Sequence, residues 1–178
     1  MAIHATIDLE TLDTTPSATV LSLGAVKFDP FNSNEPYSEL YFKIDIDEQD
    51  SLGRTTSDST LEWWSKQNKK VMEEAFNPDG RISVGDTLKY INKWMVGVDV
   101  LWGQGYGFDM TILEDMYRNK KTPIPWNFWQ IRDSRTLFKC CTSDPRKSMQ
   151  TDLHNALADA YFQAKSIQVA YKELGVKQ

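Results

Sequence analysis

Two carboxylates stand two residues apart near the N-terminus, in the segment formed by residues 6–11. The segment alternates apolar and polar residues as a strand does, so Asp8 and Glu10 are predicted to project from the same face. Like charges this close repel each other, and a divalent cation that takes oxygen ligands relieves the repulsion. The alternative is the solvent-facing end of a strand, and only partners elsewhere in the chain can decide between the two.

Two further aspartates stand at predicted helix starts. Asp109 follows a short apolar strand, residues 98–102, and opens a helix that runs to about residue 119. A carboxylate is favourable there because the N-terminal end of a helix carries partial positive charge. Asp159 lies near the start of the last predicted helix, residues 155–174. Each aspartate also has an ordinary explanation as a helix-start charge.

A histidine precedes Asp159 by five residues. Five residues turn a helix by about 140°, so two side chains at this spacing do not share a helix face. If Asn155 caps the helix, His154 lies just outside it and can turn towards Asp159. The pairing therefore predicts a histidine held in the loop before the last helix.

Four carboxylates and a histidine suit the hydrolysis of a phosphodiester bond. In-line displacement benefits from two divalent ions about 4 Å apart, one activating the attacking water and the other stabilising the leaving oxygen. A neutral imidazole can accept the proton of that water near neutral pH. The candidate catalytic set is Asp8, Glu10, Asp109, His154 and Asp159.

The elements that would position this set follow an α/β pattern. Three strands joined by turns are predicted, the second at residues 18–28 and the third at 37–46, which indicates an antiparallel meander. Ser59 and Glu62 have capping-box spacing and predict a helix carrying the adjacent Trp63 and Trp64. The remaining predictions are a loop at 47–57, helices at 69–76, from 83 to 97 and around 134–138, an extended segment at 126–132 and a loop at 143–147.

The two tryptophans and the glycines at positions 103, 105 and 107 each allow two interpretations. One tryptophan can enter the core while the other offers a stacking surface, or both can be structural. The glycines lack the spacing and the strand-helix-strand context of a dinucleotide-binding fingerprint, so they are interpreted as close approach of the backbone to a ligand.

Composition and length limit the classes of protein. The chain has 178 residues, 40% hydrophobic and 25% charged, which predicts a single domain over residues 1–178. The absence of a bilayer-length apolar run and of a secretory signal pattern predicts a cytoplasmic protein with no membrane partner. Cys140 and Cys141 are neighbours, so they cannot supply a disulfide framework or a four-ligand zinc site.

Charge is unevenly distributed along the sequence. The formal net charge is -5, yet residues 118–147 contain eight Lys or Arg against two Asp. A basic segment on an acidic body is compatible with a surface that follows a phosphate backbone beside an acidic metal site. A solvated basic face explains the same charges equally well.

Three blocks of the sequence resemble the DEDDh branch of the RNase H-like 3′-to-5′ exonucleases. They are Ile7-Asp8-Leu9-Glu10-Thr11, Gly107-Phe108-Asp109 and His154-Asn155-Ala156-Leu157-Ala158-Asp159-Ala160. The segments 62–67, 125–129 and 132–136 are similar to a smaller branch that contains a phage DNA exonuclease and a mycobacterial exoribonuclease. One departure is that Thr11-Leu12-Asp13 stands where many relatives have Thr-Thr-Gly.

The resemblance implies a fold, cofactors and roles. The fold would be a central mixed sheet of five or six strands flanked by helices. Two Mg²⁺ or Mn²⁺ ions would be held by Asp8, Glu10, Asp159 and, directly or through water, Asp109, with His154 as the general base. The 3′ end of RNA or DNA would contact Thr11, Leu12, Phe108, Trp64, Gln67 and Arg135.

The resemblance also implies a reaction and an assembly. The reaction would release nucleoside 5′-monophosphates from the 3′ end of single-stranded or 3′-overhanging RNA or DNA. Members of the family commonly form homodimers, and the tryptophan-rich segments could supply an interface. The alternatives are a scavenger of very short oligonucleotides and a binding module that uses the same fold without catalysis. Nothing in the linear sequence fixes a contact to the 2′-hydroxyl, so RNA and DNA both stay open.

Overall fold

A six-stranded mixed sheet forms the centre of the molecule. The computed structural model describes residues 2–105, 107–148 and 154–178. The strands of this sheet are β1 (Ile3–Thr11), β2 (Val20–Phe28), β3 (Tyr37–Ile44), β4 (Arg81–Ile82), β5 (Val98–Gly103) and β6 (Ile131–Asp133). The strand order is β4-β3-β2-β1-β5-β6, which confirms the predicted mixed sheet flanked by helices.

The pairing directions explain why the predicted site residues can meet. Strands β1, β2 and β3 form the predicted antiparallel meander. Strand β5 runs parallel to β1, and β6 runs parallel to β5; the short β4 pairs in parallel with β3. The C-terminal ends of β1, β5 and β6 therefore lie along one edge of the sheet, the edge to which Glu10 and the segment before Asp109 belong.

Helices cover both faces of the sheet. The described helices are α1 (Ile46–Ser51), α2 (Asp58–Ser65), α3 (Lys69–Phe76), α4 (Val84–Trp94), α5 (Asp109–Asn119), α6 (Ser134–Lys139) and α7 (Ala156–Glu173), with short 3₁₀ helices at Phe128–Gln130 and Pro145–Ser148. On one face, alternate residues of β1 pack against α4 and α5 in the largest apolar cluster. On the other face, Val26, Phe28 and Trp102 pack against α6 and α7.

The prediction of a loop at residues 47–57 was wrong, because helix α1 occupies its first half. The Asp45 carboxylate caps this helix by accepting from the Glu48 backbone N–H at 2.8 Å. The buried Gln49 amide accepts from the Val20 N–H at 2.8 Å and donates to the Val20 carbonyl at 2.9 Å. Hydrogen bonds from polar side chains fix this helix, so the sequence shows no apolar stripe to reveal it.

Several predicted boundaries also need correction. Strand β3 ends at Ile44, two residues early, because Asp45 turns to cap α1. The cap of α2 is Ser57, whose hydroxyl accepts from the Thr60 N–H, and the predicted Ser59 cap was wrong. The extended segment predicted at residues 126–132 contains a 3₁₀ helix at Phe128–Gln130, and only its last two residues, in β6, pair with the sheet.

The helices that carry the site begin as predicted. Helix α5 begins at Asp109, and α7 begins after Asn155, whose side chain accepts from the Ala158 N–H at 3.0 Å. Gly175, at φ +63°, follows the end of α7 and terminates it in the left-handed conformation. Within the part of the chain that the structure describes, no helix is long and apolar enough to cross a membrane.

Candidate active site

The first two carboxylates are fixed on the face of β1 that α7 covers. Asp8 and Glu10 alternate along the strand with apolar residues that point into the opposite cluster. Glu10 is only 8% exposed, so this is not the solvent-facing strand end that was the alternative interpretation. The strand places the two carboxylates, and α7 encloses them.

Asp109 reaches the same place from the start of α5. Its Oδ1 accepts from the Leu9 backbone N–H at 3.2 Å, between the two carboxylates of β1. Gly103, the last residue of β5, lies next to Asp109: a Cβ added at Gly103 would be 3.6 Å from Asp109 Oδ2. The parallel pairing of β1 with β5 therefore delivers the third carboxylate to the pair on β1.

Asp159 and His154 come from the start of α7. The His154 backbone N–H donates to Asp159 Oδ2 at 2.9 Å. His154 has a left-handed φ of +71°, which turns the chain at this point so that the residue lies outside the helix. His154 thus lies outside the helix, as predicted, and its backbone N–H rather than its imidazole contacts Asp159; its role as a base stays a prediction.

Two contacts hold the start of α7 against the sheet. The Thr6 hydroxyl donates to the Ala160 carbonyl at 2.7 Å. Gly24 on β2 lies under the helix so closely that an added Cβ would be 2.2 Å from the Ala156 backbone. Since only glycine allows this approach, Gly24 determines how near Asp159 comes to β1.

The arrangement brings three carboxylates to one point. Asp8, Glu10 and Asp159 each offer an oxygen atom, and these oxygens lie within 4.8 Å of one another. Burial raises the pKa of Glu10 to about 8, that of Asp109 to about 7 and that of Asp159 to about 6. Burial and the repulsion of the other three carboxylates raise the pKa of Asp8 well above its usual range.

These raised pKa values indicate negative charge that lacks a cationic partner. None of the four carboxylates forms an ion pair with a Lys, Arg or His within residues 2–105, 107–148 and 154–178. Buried charges of one sign are stable only when neutralised. Asp8, Glu10 and Asp159 offer hard oxygen ligands within 4.8 Å of one another, so the site fits a divalent cation such as Mg²⁺ or Mn²⁺.

His154 has the electrostatic character of a base. Burial lowers its pKa below the ordinary value, so the imidazole is neutral near pH 7 and able to accept a proton. Its ring lies edge-to-face against Trp63, with centroids 4.6 Å apart. Trp63 is 41% exposed, and this aromatic contact limits the orientations of the imidazole.

The predicted substrate contacts at the end of β1 are buried. Thr11 and Leu12 are 6% and 4% exposed. The Thr11 hydroxyl donates to the Asp13 carbonyl at 2.7 Å, and the Leu12 N–H donates to the Thr19 carbonyl at 2.8 Å. Their contact with a nucleotide stays a prediction, and these polar groups already have partners inside the protein.

One of the two adjacent tryptophans lies in the core and the other is exposed. Trp64 is 1% exposed and its indole N–H donates to the Thr11 carbonyl at 2.9 Å. Trp64 is therefore a core residue, whereas Trp63 is exposed beside His154. Gln67 lies after the end of α2, and its amide donates to the Trp63 carbonyl at 3.0 Å. The predicted substrate contacts of Trp64 and Gln67 stay predictions.

Phe108 and Arg135 flank Asp109 from two sides. Phe108 is half-buried against the main apolar cluster. Arg135 is exposed, and its guanidinium donates to the Gln104 carbonyl at 3.2 Å. Its positive charge lowers the pKa of Asp109, opposing the larger effect of burial. Both residues lie beside the site, and their substrate contacts are predictions.

Sequence reasoning did not identify Gln163. Its amide nitrogen donates to Asp8 Oδ1 at 2.7 Å. The available signal was position, since Gln163 follows Asp159 by four residues in α7 and must share its helix face. Glutamine has no characteristic chemistry in such a motif, so the sequence alone gave no reason to select it.

Comparison with known proteins places the chain in a family. Residues 3–171 match the 3′-5′ exoribonuclease Rv2179c-like domain family. An exodeoxyribonuclease of Enterobacteria phage T4 is 29% identical, over 73% of this chain and 68% of that protein. The family is named for exoribonucleases, which act on RNA, whereas this relative is an exodeoxyribonuclease, which acts on DNA.

Solved structures show the same fold. Escherichia coli exonuclease I in complex with a dT13 oligonucleotide superposes with a TM-score of 0.69 at 15% identity, over 98% of this chain and 42% of that chain. Cell-death related nuclease 4 gives a TM-score of 0.68 at 13% identity, over 97% of this chain and 64% of that chain. This chain thus corresponds to about two fifths of exonuclease I. The match over residues 3–171 shows that the chain belongs to the 3′-5′ exoribonuclease Rv2179c-like domain family of 3′-5′ exonucleases.

Proposed function

We propose that this protein is a metal-dependent 3′-to-5′ exonuclease that releases nucleoside 5′-monophosphates from single-stranded or 3′-overhanging nucleic acid. The observation that carries the proposal is the convergence of Asp8, Glu10 and Asp159, whose ligand oxygens lie within 4.8 Å of one another. Asp109 is hydrogen-bonded to the backbone of β1 between the first two. His154 lies beside the last.

The cofactor is Mg²⁺ or Mn²⁺, bound as two ions in a DEDDh site. Asp8, Glu10 and Asp159 would hold the ions directly, with Asp109 as a direct or water-mediated ligand. Two divalent cations, when bound, activate the attacking water and stabilise the leaving oxygen of an in-line displacement. The buried, mutually repelling carboxylates support this assignment because they need positive charge to be stable at neutral pH.

The residues of the chain have separate tasks in this reaction. His154 accepts the proton of the attacking water, and its lowered pKa keeps the imidazole neutral and receptive. Asp159 also fixes the His154 backbone through the bond to the His154 N–H. One carboxylate thus binds the cofactor and orients the segment that carries the base.

The terminal nucleotide would lie at the end of β1, beside Thr11, Leu12 and Phe108. Trp63 is the best-placed stacking surface, because it is exposed and touches His154. Trp64 in α2 and Gln67 just after it would support the stacked nucleotide, and Arg135 would contact a phosphate from the start of α6. The exposed Arg135 belongs to the basic segment 118–147, which supports a role for that segment in following the backbone.

The relatives support both nucleic acids as substrates. The family is described as exoribonucleases, the phage T4 relative is an exodeoxyribonuclease, and a fold neighbour was solved with a dT13 oligonucleotide. We therefore propose activity on RNA or DNA. We further propose that the protein acts in the cytoplasm and has no membrane partner. We also propose a homodimer, which light scattering of the purified protein tests.

The test is digestion of matched substrates. RNA and DNA strands of one sequence, 5′-labelled and presented as single strands, 3′ overhangs and blunt duplexes, are incubated with Mg²⁺, with Mn²⁺ or with EDTA. The expected result is stepwise shortening from the 3′ end with metal only, and nucleoside 5′-monophosphates on chromatography. Two- to five-residue oligonucleotides in the same experiment show whether very short strands are preferred.

One variant tests the proposed base, and a second variant is its control. His154→Ala removes the proposed base and should slow shortening by about 100-fold or more. Asp79→Asn removes an exposed carboxylate that is not among the site residues and should leave the rate unchanged. No shortening by the wild-type protein with either metal, or full activity of His154→Ala, contradicts the proposal.

A further inference from the structure

A glutamine lies inside the cluster of carboxylates. Gln163 follows Asp159 by one turn of α7, so both side chains face β1. Its Nε2 donates to Asp8 Oδ1 at 2.7 Å, and the residue is 4% exposed. In the described part of the chain it is the only side chain that donates a hydrogen bond to Asp8.

An amide has a specific advantage at this position. A carboxylate there would add a further negative charge to a site in which Asp8 already faces Asp109, Glu10 and Asp159. A lysine or arginine would neutralise Asp8 and compete with a cation for it. An apolar side chain would leave Asp8 Oδ1 buried without its donor. Glutamine fixes the carboxylate without supplying or removing charge.

The hydrogen bond also determines the geometry of Asp8. A carboxylate can rotate about its terminal bond, because this torsion has a broad energy minimum. Donation to Oδ1 selects one rotation and leaves the remaining lone pairs of both oxygens for other partners. Removing a group that holds a metal ligand in this way typically lowers metal affinity about 10- to 100-fold.

We propose that Gln163 is a positioning residue that orients Asp8 for the divalent cation and thereby determines the affinity of the site for metal. This rests on the proposed metal-dependent function of the same site. Gln163 acts through Asp8, and its contribution is made before any nucleic acid binds. It therefore has a readout independent of catalysis.

The chain contains a matched control on the same helix. Gln168 is 6% exposed, and its Nε2 donates to the carbonyls of Asp29 and Asn34, both at 2.9 Å. In both glutamines the Oε1 atom is buried without a described hydrogen-bond partner. The two side chains thus share residue type, helix and burial, and differ in that only Gln163 donates to a carboxylate of the site.

The experiment measures Mn²⁺ binding to the full chain without nucleic acid, by the loss of the free Mn²⁺ signal in electron paramagnetic resonance. Gln163→Met keeps the side-chain volume and removes the donor. We expect Mn²⁺ affinity about 10- to 100-fold lower than that of the wild type, whereas Gln168→Met should bind within about twofold of it. Gln163→Asn, one methylene too short to reach Asp8, gives the same result in a polar side chain if Gln163→Met does not fold.

The outcomes separate this proposal from the proposed function. Wild-type affinity in a folded Gln163 variant, or equal losses in the Gln163 and Gln168 variants, overturns the positioning role. A wild-type protein that does not bind Mn²⁺ overturns it as well. If the wild type binds Mn²⁺ but cleaves neither RNA nor DNA, the exonuclease proposal fails, while the ratio of affinities still decides the role of Gln163.

Discussion

The two faces of β1 are both covered by helices but have opposite effects on stability. On one face Ala5, Ile7 and Leu9 pack into the main apolar cluster under α4 and α5. On the other face Thr6 bonds to α7, and Asp8 and Glu10 stand in a group of carboxylates. Burial of the first face stabilises the folded state, because it removes apolar surface from water. Burial of the second face destabilises the folded state, because it removes charge from water.

The difference shows where stability and function lie within one strand. The apolar face holds β1 in place, and the polar face uses that fixed backbone to keep charges together that would otherwise separate. The folded protein should be least stable when no cation is bound, because no ion pair within the described structure neutralises the carboxylates. Substitutions on the two faces should therefore change stability in opposite directions.

Replacing one carboxylate should have the largest effect. Asp8→Asn keeps the shape of the side chain and removes a ligand charge, so activity should fall on the order of 1,000-fold. The same change relieves repulsion, so the protein should unfold at a higher temperature than the wild type in EDTA. Paired measurements of kcat and thermal unfolding test this, and a lower unfolding temperature in EDTA would contradict the contrast between the faces.

Replacing an apolar residue on the opposite face should reverse the pattern. Ile7 is fully buried, and Ile7→Ala should lower the free energy of unfolding by about 2–5 kcal/mol through lost burial and a residual cavity. The activity of the folded fraction should change less than about tenfold, since Ile7 faces away from the carboxylates. Urea unfolding together with rates corrected for the folded fraction measures both, and a selective loss of rate would show that the faces are coupled.

Moving the helix that covers the polar face should damage both properties. An alanine at Gly24 would place its Cβ 2.2 Å from the Ala156 backbone, and backbone cannot yield as a side chain can. Gly24→Ala should cost about 1–3 kcal/mol of stability and shift Asp159 and Gln163 away from Asp8, lowering activity and Mn²⁺ affinity. The control is Gly85→Ala in α4, where the nearest atom is 3.9 Å away and no loss is expected.

The metal-free protein should become less stable as pH rises. The folded-state pKa values of Asp159, Asp109 and Glu10 are raised to about 6, 7 and 8. A raised carboxyl pKa gives stability that is fully present below the unfolded-state value and is lost as pH rises through the folded value. The free energy of unfolding in EDTA should therefore fall between about pH 4 and pH 8, by up to about 1.4 kcal/mol per pH unit for each proton released.

Urea unfolding at a series of pH values, with and without Mn²⁺, checks this dependence. Mn²⁺ should flatten the slope, because a bound cation favours the ionised carboxylates. Asp8→Asn should also flatten it, since its neighbours then titrate with less repulsion. A metal-free stability that is constant over this range would mean that the carboxylates are not coupled in the folded protein.

Elements with a local physical cause were predictable from sequence. The meander of β1, β2 and β3 follows from apolar runs separated by turn residues. The start of α7 follows from the ability of Asn155 to cap a helix, which leaves His154 in the preceding loop. The six-stranded sheet and the family agree with what the motifs implied.

Other elements depend on contacts between distant parts of the chain. Helix α1 has a polar sequence, and the buried Gln49 holds it to Val20 through two hydrogen bonds. The burial of Trp64 depends on the carbonyl of Thr11, which accepts from the Trp64 indole N–H, whereas Trp63 stays exposed. No periodicity or propensity contains these partners, so sequence reasoning placed α1 in a loop and left the two tryptophans undivided.

What the sequence determined by itself was the chemistry of the site. The spacing of Asp8 and Glu10 fixes a shared strand face, and the helix starts at Asp109 and Asp159 fix where two more carboxylates lie, because strand and helix periods are local properties. What only the tertiary structure decided was how close these groups come and what holds them. The Gly24 contact with α7 and the bond from Gln163 to Asp8 join residues more than a hundred positions apart, and such distances arise only when the sheet and helix pack together.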